Sequence, residues 1–303
     1  MDWSGQIEVT SSSHLSSSLR VALVGAGRVG TAVTELLRRR GHVIVGVASR
    51  SRESAERAAS ALGVDTFALG DPLPDCDLVL IGTSDDAVAE IAGRLAPVIA
   101  PGTLVWHFAG VLGIELLRPI GDVGGGACAC HPVQSCPDVA TAITRLPGSA
   151  WGVTCATGLT DWASELIARD LDGVPVAVAE ADRPLWHAAA ATTAGGIAAV
   201  LAGAEAILAT IGVEQPQNVL GPLAAGVVAN ARDLGDGGTS LTGPVVRSQT
   251  ATIERHLAAL RDRAPDLLEV YERVVEVILV GARRSGRIDA ATHDRLKEVL
   301  TSS

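Results

Sequence analysis

The chain contains a single lysine, Lys297, against 23 arginines, and a single tyrosine, Tyr271. Two side chains that commonly move protons are therefore almost missing, and any acid–base chemistry must fall to other groups. Charge is also scarce, at 19% of residues, while 48% are apolar; this balance excludes a largely disordered chain. Mean hydropathy of +0.32 does not imply a membrane protein. The apolar surplus is mostly Ala, Val, Leu and Gly, and charges interrupt most long apolar runs. Residues 188–208 come closest to a span. They are rich in Ala, Gly and Thr and poor in Leu, Ile and Phe, so insertion would be weakly driven and a buried helix is expected. A basic surplus is absent: the net charge is −10 and the pI about 5.2, which argues against a nucleic-acid partner. Five cysteines form no even framework, pointing to a reducing compartment. Residues 1–18 lack a basic start and an apolar core, so they do not read as a signal peptide; their serine runs read as a flexible tail, and a cytoplasmic location is expected.

What is present begins at Leu19. Residues 21–24 form a short apolar run ending in Gly25-Ala26-Gly27-Arg28-Val29-Gly30. An amphipathic stretch follows over 31–40, closed by Gly41, and then a second apolar run over 43–48. This is strand, glycine turn, helix and strand, the opening of a parallel βαβ unit. Strands are expected at 78–81, 103–108, 127–130, 150–155 and 174–178, with helices at 86–95 and 160–169. The run at 78–81 counts as the fourth strand, 103–108 as the fifth and 127–130 as the sixth. After Ala179 the alternation stops. Residues 182–211 read as one long helix with Asp182 as N-cap and Pro184 in the first turn. Further helices are expected over 215–233, 250–261, 265–284 and 289–300.

Gly25, Gly27 and Gly30 have the dinucleotide-binding spacing. The first glycine permits the tight turn, the second lets a pyrophosphate approach the helix N-terminus, and the third allows close helix–strand packing. The motif follows a strand and opens a helix, which is its confirming context. An NAD enzyme would carry an acidic residue about 20 positions on. This chain has Ser49, Arg50 and Ser51 there. A guanidinium and two hydroxyls suit a 2′-phosphate, so NADP(H) is the expected cofactor; the plain alternative is a solvated basic loop. The expected organisation is the tail at 1–18, an α/β dinucleotide-binding domain with a mainly parallel sheet at 19–180, and an all-α domain at 181–303.

These segments, with Thr83-Ser84-Asp85, Trp106-His107-Phe108-Ala109-Gly110, His131-Pro132-Val133-Gln134, Trp186-His187-Ala188-Ala189-Ala190, the run from Leu241 and Thr242 to Arg247, Thr252 and His256, resemble a bacterial family. Its members are Rossmann-like proteins with a helical C-terminal domain long catalogued as of unknown function. They are relatives of ketopantoate reductases, pyrroline-carboxylate reductases and 6-phosphogluconate dehydrogenases. The resemblance implies an NADPH-dependent reductase of a small carbonyl or imine, and a dimer made by the helical domain. The chain departs from the family pattern at Ala109, where serine is usual, at Gly195, where asparagine is usual, and at Ser248 and Gln249, where glycine and aspartate are usual.

Reducing a ketone requires a hydride and a proton. Lys297 is terminal, so the histidines become the candidates. His187 stands early in the long helix, and His107 and His131 end strands at the edge where ligands bind in open α/β sheets. The plain alternative for each is a hydrogen bond to backbone. Arg247, in a Gly/Pro-containing loop with Thr242, suits a substrate carboxylate, the alternative being an interdomain salt bridge. Asn230 is a further candidate substrate contact, and Thr83, Ser84 and Asp85 are candidate cofactor contacts, Asp85 being equally an N-cap. Cys128, Cys130 and His131 invite a zinc reading; the two cysteines are expected on opposite strand faces, so small core residues are the better reading and no metal is expected. The long helix is apolar almost all round and is expected to be buried on every side, with Gly195-Gly196 as a close-contact point of a homodimer.

The leading expectation is an NADPH-dependent oxidoreductase of a small carboxylate-bearing 2-oxo compound, ketopantoate-reductase-like. The alternatives are an imine reductase of the pyrroline-carboxylate type and an NADP-binding sensor with little chemistry.

Overall fold

The computed structural model describes residues 18–234, 238 and 240–301; the tail expected over 1–18 lies outside them except for Ser18. The chain divides into two compact units, Met1–Ala191 and Thr192–Ser303.

In the first unit, strands β1 (Arg20–Val24), β2 (Val43–Ala48), β3 (Leu78–Ile81), β4 (Leu104–His107), β5 (Gly126–Pro132), β6 (Ala150–Cys155) and β7 (Val174–Ala177) form one sheet in the order β2-β1-β3-β4-β5-β6-β7. Pairing is parallel throughout except between β5 and β6. The central strands are continuous apolar runs because helices cover both faces: all four residues of β3 are buried, as are Val21 to Val24 of β1. The strand count corrects the reading of the sequence. Leu78–Ile81 is the third strand, β4 the fourth and β5 the fifth. Between β2 and β3 there are only isolated bridges, such as Val47 with Thr66. Pro72 and Pro74 lie in that segment and cannot donate to a ladder.

Helix α1 (Arg28–Arg39) buries Ala32, Val33 and Leu37 and ends with Arg38 and Arg39 clasping Glu35. Helices α2 (Arg52–Leu62), α3 (Val88–Leu95), α4 (Arg118–Asp122), α5 (Val139–Arg145) and α6 (Thr160–Asp170) complete the α/β alternation. The chain after α1 is locked to the end of α6: buried His42 accepts the Leu19 N–H through Nδ1 (3.0 Å) and meets Asp170 Oδ2 through Nε2 (3.2 Å).

Helix α7 (Arg183–Ala209) crosses the division between the units, which falls inside it because its first turns pack on the sheet. The second unit continues with α8 (Pro216–Asp233), α9 (Thr250–Arg263), α10 (Leu268–Arg284) and α11 (Ala290–Thr301). Its core is built at helical spacing from Ile253, Leu257, Val275, Leu279 and Leu296, with Val245 added from the preceding loop. The expectation of a buried long helix is not met in the single chain. Arg183 alone is buried in α7, and α8 buries no residue. α9, α10 and α11 supply this unit's core and leave Ile197, Val200, Val219 and Leu223 between 44% and 64% exposed. By length and composition Glu180–Ala209 is long and apolar enough to cross a membrane.

Candidate active site

The carboxyl ends of β1, β3, β4 and β5 lie along one edge of the sheet, because these strands run parallel. The glycine turn leaves β1 there. Gly25 adopts φ +92°, and a Cβ on it would stand 2.7 Å from Thr83 N. A Cβ on Gly30 would lie 2.7 Å from Gly82 Cα, and one on Gly27 would strike Gly82 O. The turn is held by Gly25 N–H donating to Ala48 O (2.7 Å) and Gly27 N–H donating to Gly82 O (3.0 Å). Gly82 is thus a member of the motif that sequence reasoning missed; its signal was a glycine directly after a buried apolar run. Gly27 is the N-cap of α1 and supplies no side-chain cap, and the first turn holds no acidic residue. The amides of Ala26, Arg28 and Val29 therefore face an anion-favouring terminus. Beside them the Thr31 and Thr83 hydroxyls are buried without a hydrogen-bond partner among the described residues. A glycine cradle, a positive helix end and two orphaned hydroxyls fit a dinucleotide pyrophosphate; Thr31 was not foreseen.

Ser49, Arg50 and Ser51 follow β2, whose end is hydrogen-bonded to this turn. Ser51 is the N-cap of α2 and accepts the Ser54 N–H at 3.3 Å. Arg50 is exposed and makes no ion pair among the described residues, whereas Arg52 is spent on Glu56 at 2.7 Å. Thr83, Ser84 and Asp85 follow β3. Ser84, not Asp85, is the N-cap of the short 3-10 turn Asp85–Ala87, and Asp85 remains exposed. Arg28 reaches over to Pro137 O (3.1 Å), tying the glycine turn to the loop that follows β5.

That loop begins at the histidine corner. His131, near the end of β5, and His187, on the second turn of α7, meet edge to face with ring centroids 5.5 Å apart. Gly110 lies against both: a Cβ there would be 2.9 Å from His131 Nε2 and closer still to His187 Cδ2. Trp186 Nε1–H donates to His131 Nδ1 (3.3 Å), and the indole packs over Gly152, which has no side chain to obstruct it. A neutral His131 then carries its proton on Nε2, toward Gly110. Burial first, then His187 and Arg183, hold His131 down at about 4.

His107 is different. It is fully buried, its Nδ1 accepts the Ala109 N–H (3.2 Å), and its Nε2 bonds Gly113 O (2.9 Å). Both ring nitrogens are spent on backbone, and burial pushes its pKa down to about 4. The expected catalytic part for His107 is therefore corrected: it holds the loop after β4. Glu180 does the same from the other side, its carboxylate accepting the Ile114 N–H (2.9 Å) and the Glu115 N–H (3.3 Å) against Gly113. A third holder was missed altogether. Arg183 is buried and donates to Ala109 O at 2.6 Å, Ala129 O at 3.1 Å and Thr154 Oγ1 at 3.1 Å.

In the second unit, Asn230 is exposed on α8. Thr242 and Arg247 are exposed on a loop anchored by buried Val245. Arg247 pairs with no carboxylate among the described residues; its Nε donates to Gly243 O (3.3 Å). Of the departures from the family pattern, Ala109 is buried beneath the histidine corner, Gly195 has open space at its Cβ, Ser248 adopts the left-handed φ of +55°, and Gln249 is the N-cap of α9.

The cysteine reasoning also needs correction. Residues two apart share a strand face, and Cys128 lies directly opposite Cys155 across the β5–β6 ladder. The thiols of Cys128, Cys130 and Cys155 are in mutual hydrogen-bond contact, which lowers Cys155 to about 5 and, with burial, raises the other two. Cys155 lines a cavity of about 510 Å³ with Arg118, Thr157, Thr160 and Glu180.

Two family models match the chain. Residues 7–132 match the Rossmann-like domain and residues 150–278 match a domain of unknown function, DUF2520. No curated protein matches in sequence. Among solved structures, a candidate NADP oxidoreductase of Bacteroides fragilis is similar at 24% identity and TM-score 0.72, over 86% of this chain and 98% of that one. A pyrroline-5-carboxylate reductase of Coxiella burnetii is similar at 15% identity and TM-score 0.56, over 93% and 99% of the two chains. A reductive aminase of Aspergillus terreus, solved with NADPH and ethyl-5-oxohexanoate, is similar at 16% identity and TM-score 0.58, over 94% and 93%. At these identities the likeness is one of fold. Residues 7–132 are thus similar to the Rossmann-like domain and residues 150–278 to the domain DUF2520, the pairing that the motifs of this chain resemble.

Proposed function

We propose that the chain is an NADP(H)-dependent oxidoreductase acting on a small, carboxylate-bearing 2-oxo compound, with ketopantoate as the model substrate. The observation that carries this reading is the glycine cradle, with its orphaned Thr31 and Thr83 hydroxyls and the unpaired Arg50 beside it. Gly25, Ala26, Gly27, Arg28, Val29 and Gly30 would hold the pyrophosphate through backbone, Ser49, Arg50 and Ser51 the 2′-phosphate, and Thr83, Ser84 and Asp85 the neighbouring part of the cofactor. Bound nicotinamide supplies a hydride to an electrophilic carbon.

The chain's own part is the proton. His187 donates it to the forming alkoxide, and His131, kept neutral, offers its Nε2–H to the carbonyl oxygen. Arg247 is the proposed contact for the substrate carboxylate, and Thr242 and Asn230 are the other proposed polar contacts. A second reading, reduction of an imine, is supported by two of the fold's relatives being a pyrroline-5-carboxylate reductase and a reductive aminase. A protonated imine needs no acid, which suits the apolar Ala109.

NADPH oxidation with a panel of 2-oxo acids and cyclic imines tests the reading. With a ketone substrate His187→Gln lowers kcat by roughly 10²–10⁴-fold and leaves NADPH affinity unchanged; with an iminium substrate the loss is small. Tight NADPH binding without oxidation by any member of the panel would instead indicate a sensor. The exposed apolar residues of α7 and α8 support a homodimer through the helical unit; the net charge of −10 speaks against a nucleic-acid partner, and no membrane partner and a cytoplasmic location belong to the same reading.

A further inference from the structure

We propose that Arg183 is the positioning residue of the histidine corner: its buried guanidinium fixes the backbone around Gly110, against which the His131 and His187 rings meet. This rests on the reading of that corner as the reacting end of an oxidoreductase site.

Arg183 is fully buried yet forms no ion pair with a carboxylate among the described residues. A buried charge without a counter-ion is heavily penalised unless its donors are satisfied. Here Nη2 donates to Ala109 O (2.6 Å), while Nη1 faces Ala129 O (3.1 Å), Thr154 Oγ1 (3.1 Å) and Gly152 O (3.4 Å). Nε remains without a partner. One planar fork thus ties the turn after β4, strand β5 and strand β6 to the first turn of α7. A lysine ammonium, a point donor on a flexible stem, lacks this fixed geometry.

Each acceptor adjoins the corner. Ala109 precedes Gly110, which lies against both imidazoles. Ala129 shares a strand face with His131, and Gly152 is the cross-strand partner of His131. Arg183 itself stands one helical turn before His187, on the same side of α7. The titratable and charged groups that act on the guanidinium are Cys130, Glu180, Cys155 and Asp85, and it acts in turn on His107 and His131, His187 standing one turn along the same helix. A purely packing role would be filled better by an apolar side chain. A fixed positive charge here opposes protonation of His131 and so preserves the Nε2–H tautomer set by Trp186.

The test uses the full chain with Arg183→Lys, Arg183→Gln and Arg183→Met. The readouts are the NMR titration of the His131 imidazole, thermal stability, and NADPH oxidation with the best substrate of the panel. In the wild type His131 stays neutral down to about pH 4. Loss of the charge in the Gln and Met variants is expected to raise its titration midpoint by roughly half a unit or more, and to lower kcat at least tenfold without changing KM for NADPH. The Lys variant is expected to keep the low midpoint and recover part of kcat. The Gln amide keeps two N–H donors for the same carbonyl acceptors, so the test stands on Gln if the Met variant does not fold. A His131 midpoint that moves equally in Lys and Gln, or in neither, overturns the proposal. If the midpoint responds as expected but no substrate is reduced, the oxidoreductase reading fails while the Arg183 assignment stands.

Discussion

Adding one methyl group at Gly110 tests the histidine corner directly. The loop cannot yield, because His107 holds it at Ala109 and Gly113, Arg183 at Ala109, and Glu180 at Ile114 and Glu115. The new Cβ would stand 2.9 Å from His131 Nε2 and 3.0 Å from its Cδ2, with His187 Cδ2 nearer still. Ordinary carbon contacts lie at about 3.5–4.0 Å, so both rings must be pushed by half an ångström or more. Overpacking of this kind costs about 1–3 kcal/mol, or a fall in Tm of about 2–10 °C. Displacing a proton donor by that distance is expected to lower kcat at least about tenfold. NADPH affinity should not change, since the glycine cradle on β1 and α1 is untouched. The control is Gly93→Ala in α3, where a Cβ meets nothing within 4 Å. It should gain about 0.5–1 kcal/mol from helix propensity. Thermal denaturation and steady-state kinetics on both variants read the outcome. A Gly110→Ala protein with wild-type Tm and wild-type kcat would refute the packing argument.

Three further outcomes are expected. Arg50→Ala weakens NADPH binding by roughly ten- to hundredfold (about 1.5–3 kcal/mol for a charge-assisted contact) while hardly affecting NADH, and calorimetry showing tighter NADH than NADPH binding by the wild type would count against the 2′-phosphate assignment. Burial holds both His107 and His131 at about 4, below the ordinary 6.5; the unfolded chain therefore binds protons that the folded one refuses, and stability present above about pH 6.5 declines as the pH falls toward 4. A Tm that is flat across that range would contradict it. Light scattering should give twice the 30.9 kDa chain mass at micromolar concentration, and Val200→Arg or Leu223→Arg, placing charge on residues 46% and 64% exposed in the single chain, should yield monomer; a wild-type monomer would disprove the dimer.

The α/β-then-helical order, the glycine turn and most strands were legible because they rest on local rules. A short apolar run followed by Gly25, Gly27 and Gly30 specifies a strand and a close helix approach over a dozen neighbouring residues. The strand count failed between β2 and β3 because apolar character alone does not show whether a ladder partner exists. The cysteine argument failed on parity: Cys128 and Cys130 share a face, and Cys155 joins them only through antiparallel pairing.

Residue types set what chemistry is available to this protein. One lysine and one tyrosine leave imidazoles as the proton carriers, and Ser49, Arg50 and Ser51 in place of a carboxylate set the cofactor expectation. Which imidazole is free was decided by tertiary structure alone. His107 and His131 look alike in sequence, each at the end of a run that reads as a strand. In the fold the first has both nitrogens bonded to backbone, while the second keeps Nε2 open against Gly110 and His187. Arg183 reads as a helix-start residue beside Pro184, and only the convergence of β4, β5 and β6 beneath α7 turns it into a buried charge. Hydrogen bonds between residues 31 to 74 positions apart depend on how strands are ordered in the sheet, and local patterning carries no record of that order.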